Sequence, residues 1–388
     1  MTTPEIIAGT DSDFMTVPHL TASGSQVEIG RQQVEQARRV YDWQPVPADP
    51  VMARARRVWF ARYWPQHLAR MHGAADLLGI DLQADEFYLD GLTGIPNGSA
   101  CSASYYPPSA TTDGRGVMGR NYDFFTTSGS DLVAMVTGQP GVGGDERPMS
   151  SRPHVLTSVP TDGPATTLIT MNELDGAMEG INSRGLAVAL LLGDAENVTE
   201  LPDSGPQVGL STIQLPRFVL DTCATAAEAQ AALLAAKQYD DGVPLHYLIA
   251  DRSGAAFIWE RGHGGDEHVI RATGGALCVT NHLLHRHRDP AALPDDNAES
   301  LLTYQRYRRL SERSAGTELS AGRMREALDA VSLDATAGVP YPIRTLWRTI
   351  FDLEAASMTT RFYLGDGPDG ELRYSPEVEF AAPAPGGG

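Results

Sequence analysis

Three cysteines are the side chains of this sequence best suited to covalent chemistry, and their surroundings differ. Cys223 opens an alanine-rich amphipathic segment and Cys278 lies inside an apolar one, so both are expected to be small buried groups. Cys101 follows the turn-rich stretch 93–100 and opens a run of small and hydroxylated residues. A thiol at such a turn-to-strand boundary is within reach of a substrate. The sequence therefore favours Cys101 as the reactive cysteine.

A predicted hairpin brings two charged residues back to Cys101. Its second arm carries Arg120 and Asp123, and Asp113-Gly114 supplies the turn between the arms. An arginine beside a thiol favours the thiolate, and a nearby carboxylate can orient the arginine or bind an amine. This segment alone is equally compatible with a structural Arg–Asp pair on a strand.

A side-chain amide at a strand tip is a further candidate for catalysis. Asn281 lies in Thr-Asn-His at the end of the predicted strand 277–280, where it suits donation to a developing oxyanion. The alternatives are a turn asparagine and a metal site, because His282, His285 and His287 have a spacing similar to that of metal ligands. They lack the H-E-x-x-H signature of a zinc hydrolase. We therefore predict neither a metal nor a cofactor.

Composition narrows the class of partner. The 388 residues include 49 acidic and 30 basic side chains, an excess of negative charge that disfavours nucleic acids and anionic membrane surfaces. No apolar run reaches the roughly 18 residues of a membrane-spanning helix. The polar, acidic segment 1–14 lacks the basic start and apolar core of a signal peptide, so a cytoplasmic location is expected. A small molecule is the partner class that these features favour.

Hydrophobic periodicity predicts an α+β fold. Residues 1–15 are expected to form a loose arm, and helices are expected over 25–40, over 51–78 with a break at Pro65, and over 211–236. Further patterns predict strands at 117–125, 155–159, 167–171, 186–192 and 277–280, hairpins over 247–260 and 344–364, and helices at 300–313 and 321–331. Hairpin-linked strands with apolar runs covered on both faces imply two face-to-face antiparallel sheets between helical layers.

Several segments, taken in order along the chain, resemble the motifs of one enzyme group. The group is the N-terminal-nucleophile (Ntn) hydrolases of the penicillin acyltransferase type, which includes isopenicillin N acyltransferase. It is related to choloylglycine hydrolase, penicillin V acylase and acid ceramidase. The similar segments are 22–30 at the start of a pro-segment, then Cys101, 119–123 (Gly-Arg-Asn-Tyr-Asp), 180–186 (Gly-Ile-Asn-Ser-Arg-Gly-Leu), 280–282 (Thr-Asn-His), and 345–347 (Thr-Leu-Trp) as the closing motif.

The resemblance implies an architecture and an activation step. The fold would be a four-layer αββα Ntn-hydrolase sandwich, with residues 1–100 as a helical N-terminal pro-segment and residues 101–388 as the catalytic chain. Autocatalytic cleavage between Ala100 and Cys101 would convert this zymogen into a heterodimer of its own two chains. Cys101 would then be an N-terminal residue.

The resemblance also implies a role for each motif residue. Cys101 would be the nucleophile and its freed α-amine the base, because an α-amine titrates close enough to neutral pH to accept the thiol proton. Arg120 and Asp123 would hold the amine and the thiolate. Asn281 would donate to the oxyanion, and Asn182 or its backbone N–H would help to complete the oxyanion hole. Arg306 would lie near the nucleophile. The implied reaction is hydrolysis or acyl transfer on linear amides or thioesters through an acyl-enzyme, with water or an amine as acceptor.

Three positions depart from the usual pattern of the group, and a non-catalytic role stays open. Ala100 stands where relatives often have glycine, Ser102 where they often have threonine, and Arg348 where the closing motif usually has serine. These differences leave the nucleophile in place but bear on the efficiency of processing and on the substrate. The alternative function is an inactive Ntn-fold protein that binds a small metabolite or a partner.

Overall fold

The computed structural model describes residues 4–89, 100–137, 147–148, 150–171, 174–193, 209–236, 238–239, 244–261 and 266–383. Of the predicted turn 93–100, all but Ala100 lies outside these residues. The helices are α1 (Gln26–Tyr41), α2 (Pro50–Tyr63), α3 (Pro65–Leu78), α4 (Gly129–Thr137), α5 (Leu215–Thr222), α6 (Ala226–Ala235), α7 (Thr303–Arg313) and α8 (Ala321–Asp329). None of these helices combines the length and the apolar character needed to cross a bilayer.

The strands occupy the N-terminal edge, the centre and the C-terminal end of the chain. The first ten are β1 (Glu5–Ala8), β2 (Val17–Gly24), β3 (Val46–Pro47), β4 (Phe87–Tyr88), β5 (Ala100–Tyr106), β6 (Val117–Phe125), β7 (His154–Pro160), β8 (Thr166–Thr170), β9 (Glu179–Asn182) and β10 (Leu186–Leu192). The others are β11 (Leu210–Ser211), β12 (Gln238–Tyr239), β13 (Leu245–Asp251), β14 (Ala256–Arg261), β15 (Glu267–Arg271), β16 (Leu277–Val279), β17 (Ile343–Asp352), β18 (Ser357–Asp366), β19 (Leu372–Tyr374) and β20 (Val378–Ala381).

Two large sheets form the centre of the molecule. The first sheet has the order β1-β2-β7-β8-β9-β10-β13-β14-β15, and the second has the order β16-β5-β6-β17-β18-β19, with β20 also paired to β18. β10 of the first sheet packs on β5 and β6 of the second, so the main hydrophobic core lies between the sheets. Helices α1, α5 and α6 cover the outer face of the first sheet, and α7 and α8 cover that of the second. The predicted four-layer αββα sandwich is confirmed.

Local sequence signals explain where the main elements begin and end. Ser25 caps α1 by accepting from the Glu28 backbone N–H, and the Glu28 carboxylate accepts from the Ser25 N–H at 2.7 Å in a capping box. Pro65 is tolerated at the first position of α3, where its missing N–H has no intrahelical partner, and α2 ends just before it. The predicted break at Pro65 is therefore confirmed.

The N-terminal segment differs from the expectation of a loose arm followed only by helices. Strand β2 is parallel to β7, and β1 pairs with β2 at the edge of the first sheet. β2 has no hairpin partner after it in the sequence, because its neighbour β7 lies more than one hundred residues away. A pairing of that range leaves no local turn signal, which is why the strand was missed.

The predicted helix over 211–236 is also wrong in one respect. The chain forms two helices there, and Cys223 takes an extended conformation at the end of α5 rather than opening a helix. Thr225 then caps α6 by accepting from the Glu228 N–H. Cys223 itself is buried, as predicted.

A buried charge network ties α3 to the central part of the chain. Arg70 donates through Nε to Asp175 at 2.5 Å and through Nη2 to Asp221 at 2.6 Å. His67 Nδ1 lies 2.6 Å from Asp175, and Arg217 Nε lies 3.0 Å from Asp221. Burial alone would raise the pKa of Asp175, but Arg70 and His67 hold that pKa well below its usual range. Arg70, a cation of the N-terminal segment, therefore pairs with two buried acids from later in the chain.

This network predicts a large stability difference between two arginine substitutions. Arg70→Met leaves two buried carboxylates without their shared cation, so the free energy of unfolding should fall by about 3–5 kcal/mol. The matched control is Arg31→Met, because Arg31 pairs with Asp76 in an ion pair whose side chains are 46% and 56% exposed. Loss of an exposed pair should cost about 0–1 kcal/mol. Urea unfolding measures both, and equal losses would contradict the anchoring role of Arg70.

Candidate active site

The hairpin of β5 and β6 sets the position of Cys101. In the antiparallel register of the two strands, Cys101 lies opposite Tyr122 and Ala100 lies opposite Asp123. Since side chains alternate along a strand, Cys101 and Tyr122 share the face that packs on the first sheet, while Asp123 faces the helical layer. The predicted hairpin is confirmed, and Gly114 in its turn has a φ of 70° that favours glycine.

Arg120 connects the thiol to the first sheet. Its Nη2 donates to Cys101 Sγ at 3.4 Å and to the Leu190 carbonyl at 2.5 Å, and its Nη1 forms an ion pair with Glu179. The guanidinium also lies over the Tyr122 ring, 4.5 Å from the centroid. Burial opposes the charge of Arg120, but Cys101 and Glu179 raise its pKa above the usual value. Arg120 is therefore a permanent buried cation beside the sulfur.

The thiol itself is completely buried, which differs from the expectation of a substrate-accessible group. The reason is its neighbours: β5 is an interior strand between β16 and β6, and the first sheet covers its inner face. Burial raises the pKa of Cys101, and the positive charge of Arg120 opposes that rise. The cysteine is consequently a thiol that needs a base to become a thiolate.

Asn281 and Arg306 hold the main chain of Cys101 from both sides. The Cys101 N–H donates to Asn281 Oδ1 at 2.7 Å, and the Cys101 carbonyl accepts from Arg306 Nη1 at 2.8 Å. Arg306 Nη2 also donates to Asn281 Oδ1 at 2.6 Å. The Asn281 backbone N–H donates to Thr303 Oγ1 at 2.7 Å, so the first residue of α7 fixes the strand tip. The structure thus brings Arg306 directly to Cys101.

The side-chain amide of Asn281 donates one hydrogen bond to the first sheet. Asn281 Nδ2 donates to the Leu192 carbonyl at 2.9 Å, at the end of β10. A side-chain amide carries two such hydrogens, and within the described residues no second acceptor contacts this nitrogen. One hydrogen of the Asn281 amide is therefore available for a bound group.

Asp123 is a buried carboxylate, and one of its oxygens accepts no hydrogen bond from the described residues. Its Oδ1 accepts from Thr345 Oγ1 at 2.5 Å, while its Oδ2 has only an ionic contact of 3.5 Å with Arg306 Nη1 among the described residues. Burial raises the pKa of Asp123 to about 6, although Arg306, Thr345 and Arg120 act in the opposite direction.

The closing motif 345–347 also reaches this site. Thr345 binds Asp123, and Trp347 stacks on Tyr122 with 4.0 Å between ring centroids and 6° between planes. Arg348, the departure from the usual serine, lies in the same strand but pairs with Asp329 on α8. This substitution therefore affects the helical layer and leaves the contacts of Cys101 unchanged.

The side chain of Asn182 is occupied by contacts within its own region, where the first sheet meets α5. Its Nδ2 donates to the carbonyls of Leu220 at 3.0 Å and Cys223 at 2.8 Å. Its Oδ1 accepts from the backbone N–H groups of Arg184 and Leu186, each at 3.1 Å. Both amide hydrogens thus fix the β9–β10 turn against α5, and its side chain has none left for an oxyanion.

Glu179 is the site residue that sequence reasoning missed. It is fully buried at the start of β9, where it accepts from Arg120 Nη1 and from Thr349 Oγ1 of β17. The signal available in the sequence was a single acidic residue, Glu179, at the start of a short apolar strand. Its partner Arg120 lies on the other sheet, and the sequence spacing between them does not indicate their contact.

The three spaced histidines do not converge on one point. His282 is buried, and its Nε2 lies 2.9 Å from the His287 carbonyl oxygen. Burial lowers the pKa of His282 to about 3, so it is a neutral core residue. His285 turns instead to Glu260. A metal centre made of His282, His285 and His287 is thus incompatible with the structure.

The αββα layers, with Cys101 at the start of a strand facing the core between the sheets, define an Ntn-hydrolase fold. The chain belongs to the acyl-coenzyme A:6-aminopenicillanic acid acyl-transferase family, whose model matches residues 109–364. The matched range begins after Cys101. The choice of Cys101 as the candidate nucleophile therefore rests on its contacts in the structure and not on the family match.

Solved structures give more distant likenesses. The chain is similar to penicillin V acylase from Agrobacterium tumefaciens, with 17% identity over 71% of this chain and 85% of that one and a TM-score of 0.47. It is similar to a mutant of conjugated bile acid hydrolase from Clostridium perfringens, with 13% identity, coverage of 73% and 97%, and a TM-score of 0.46. It is also similar to an N-acylethanolamine-hydrolyzing acid amidase ortholog from Caenorhabditis elegans, with 14% identity over 65% of this chain and 93% of that one and a TM-score of 0.39. No functionally curated protein matches the chain.

The buried carboxyl of Asp123 predicts a pH-dependent stability. Its pKa is raised from 3.8 to about 6, so the folded state holds this proton more tightly than the unfolded state. The contribution of Asp123 to the free energy of unfolding should therefore fall as the pH rises from about 4 to about 6, by roughly 3 kcal/mol in total. Asp123→Asn in a Cys101→Ala background should abolish that fall. Urea unfolding at several pH values measures the difference.

The control for this pH experiment is Asp113→Asn, since Asp113 is an exposed residue in the β5–β6 turn. It should change stability little at any pH. A stability difference between Asp123→Asn and its parent that stays constant from about pH 4 to about pH 7.5 would contradict the assignment.

Proposed function

We propose that this chain is a self-cleaving cysteine amidohydrolase or acyltransferase with Cys101 as its nucleophile. The observation that carries the proposal is the three-sided hold on one residue. Asn281 accepts from the Cys101 N–H, Arg306 donates to its carbonyl, and Arg120 donates to its sulfur. A purely structural cysteine would not need three buried polar side chains from three different elements.

The first step in this account is cleavage of the Ala100–Cys101 bond. Cys101 Sγ attacks the Ala100 carbonyl carbon, the C–N bond breaks, and the thiol proton passes to the departing nitrogen. The product is a thioester between Ala100 and the Cys101 sulfur. Water then hydrolyses the thioester and leaves the Ala100 carboxylate, the free thiol and a new α-amine on Cys101.

The new α-amine supplies the base that the buried thiol requires. An α-amine has a pKa of roughly 7.7–8.0, so part of it is neutral at physiological pH and can accept the thiol proton. Asn281 Oδ1 already accepts from this nitrogen at 2.7 Å, and Asp123 lies in register with the cut bond. These two acceptors would orient the amine, and the cation Arg120 would stabilise the thiolate.

The same residues support the chemistry of turnover. The thiolate attacks the carbonyl carbon of an acyl amide or thioester, and the available amide hydrogen of Asn281 would donate to the oxygen that becomes negative. Collapse expels the amine or thiol and leaves an acyl-enzyme on Cys101. Water or an acceptor amine then takes the acyl group.

The cleaved chains would stay together as a heterodimer. Segment 1–100 supplies β1 and β2 to the first sheet, and its Arg70 neutralises two buried acids of segment 101–388. Separation would expose a sheet edge and remove Arg70, the cation that Asp175 and Asp221 share. Segment 1–100 is therefore proposed as a permanent part of the enzyme, not an inhibitor that leaves.

Trapping of the acyl-enzyme tests the nucleophile. Wild-type protein mixed with an activated acyl thioester and quenched in acid should carry one acyl group on the fragment that begins at Cys101. Cys101→Ala should carry none, whereas Cys278→Ala, which removes a buried thiol on the adjacent strand β16, should still be acylated. Acylation that persists in Cys101→Ala would rule out this nucleophile. An unacylated wild-type protein would instead favour the binding-only alternative.

The oxyanion donor has its own test. Asn281→Ala should lower kcat by about 10²–10³ in cleaved protein, because a buried donor to the transition state is lost. Asn182→Ala is the matched control, since its amide serves a turn and should mainly cost stability. Steady-state kinetics on both variants separates the roles, and an equal kcat loss in Asn182→Ala would contradict this assignment. Product analysis with and without an added amine distinguishes acyl transfer from hydrolysis.

A further inference from the structure

A second cluster of reactive side chains lies outside the candidate active site. Asp266 immediately precedes β15, His268 lies on β15, and His285 lies in the loop that follows β16. One potential ligand atom from each comes within 4.8 Å of the others. The side chains are partly open to solvent, with 57% of Asp266, 32% of His268 and 18% of His285 exposed.

The imidazole of His285 is fixed by a buried carboxylate. Its Nδ1 lies 2.5 Å from Glu260 Oε1, and Glu260 also accepts from the backbone N–H groups of Leu284 at 2.8 Å and His285 at 3.1 Å. Glu260 is fully buried. A histidine whose Nδ1–H is given to a carboxylate presents Nε2 as its open, electron-rich nitrogen, which is the arrangement found behind metal-binding histidines.

His268 and Asp266 complete a set of three ligands. His268 Nε2 lies 2.5 Å from Asp266 Oδ2, so the two side chains share a hydrogen bond with one proton between them. The His268 ring stacks on the His285 ring with 3.8 Å between centroids and 12° between planes. The two imidazole rings are therefore in direct contact.

The geometry points to a binding site for one divalent first-row transition-metal cation, such as Zn²⁺, formed by Asp266, His268 and His285. The ion would replace the proton between His268 and Asp266, and water would complete the coordination. Two imidazoles with one carboxylate favour zinc-like ions over Ca²⁺ or Mg²⁺, which prefer oxygen ligands. A metal lies in the plane of each ring that binds it, so His268 would have to turn out of the stack.

The site would have a structural effect near the nucleophile. His285 is in the loop that follows β16 and carries Asn281, and His268 belongs to the far edge strand of the first sheet. An ion bound to both would join that edge to the segment carrying Asn281. We expect it to stabilise the fold, with no part in the covalent steps at Cys101.

Calorimetric titration with ZnCl2 tests the site on tag-free full-length protein after removal of metals by a chelator. Wild type should bind one equivalent, and Cys101→Ala should bind equally, which excludes the thiol as the ligand. His268→Ala and His285→Ala should each weaken binding at least tenfold, a loss of about 1.4 kcal/mol. Asp266→Asn, at an exposed position that should tolerate substitution, should also weaken it. The melting temperature should rise with Zn²⁺ in wild type and in Cys101→Ala, but not in His268→Ala or His285→Ala.

Two controls define the specificity of that result. His287→Ala removes a histidine near the cluster that is not a member of it, and His72→Ala removes an exposed histidine on α3. Both should bind zinc as wild type does. The proposal is overturned if wild type shows no saturable binding, or if His268→Ala, His285→Ala and Asp266→Asn all bind zinc as wild type does.

Discussion

Two arginines buried beside one cysteine impose the main constraint on this structure. A guanidinium removed from water needs a compensating charge and partners for its hydrogens. Arg120 obtains them from Glu179 and from the Leu190 carbonyl of β10, in the first sheet. Arg306 obtains them from Asp123, Asn281 and Cys101. The two sheets and the helix α7 must therefore meet at Cys101 for both cations to be stable.

The same constraint explains why the N-terminal segment is integral to the fold. Arg70 neutralises Asp175 and Asp221, and Asp221 in turn pairs with Arg217 of α5. α5 packs on β9 and β10, the strands that supply Glu179 and the carbonyl groups that bind Arg120 and Asn281. Charge compensation thus extends in packed steps from α3 to the candidate nucleophile, so cleavage at Cys101 need not loosen the molecule.

Local patterns predicted the site well where its contacts are local. The hairpin turn and strand lengths were enough to place Arg120 and Asp123 beside Cys101, and the strand tip was enough to single out Asn281. Contacts between distant segments were not accessible in the same way. Glu179 depends on the stacking of two sheets, β2 depends on a parallel partner far along the chain, and the burial of Cys101 depends on the sheet above it. For Asn182, the resemblance implied a role near the oxyanion, but the side chain serves a turn.

The central claim is that Cys101 acts as a newly formed N-terminus, and intact mass spectrometry of purified protein tests it most directly. The account predicts two masses in wild type, one for a chain ending at Ala100 and one for a chain beginning at Cys101. It predicts a single full-length mass for Cys101→Ala. A wild-type protein that turns over acyl substrates while its Ala100–Cys101 bond stays intact would contradict the account.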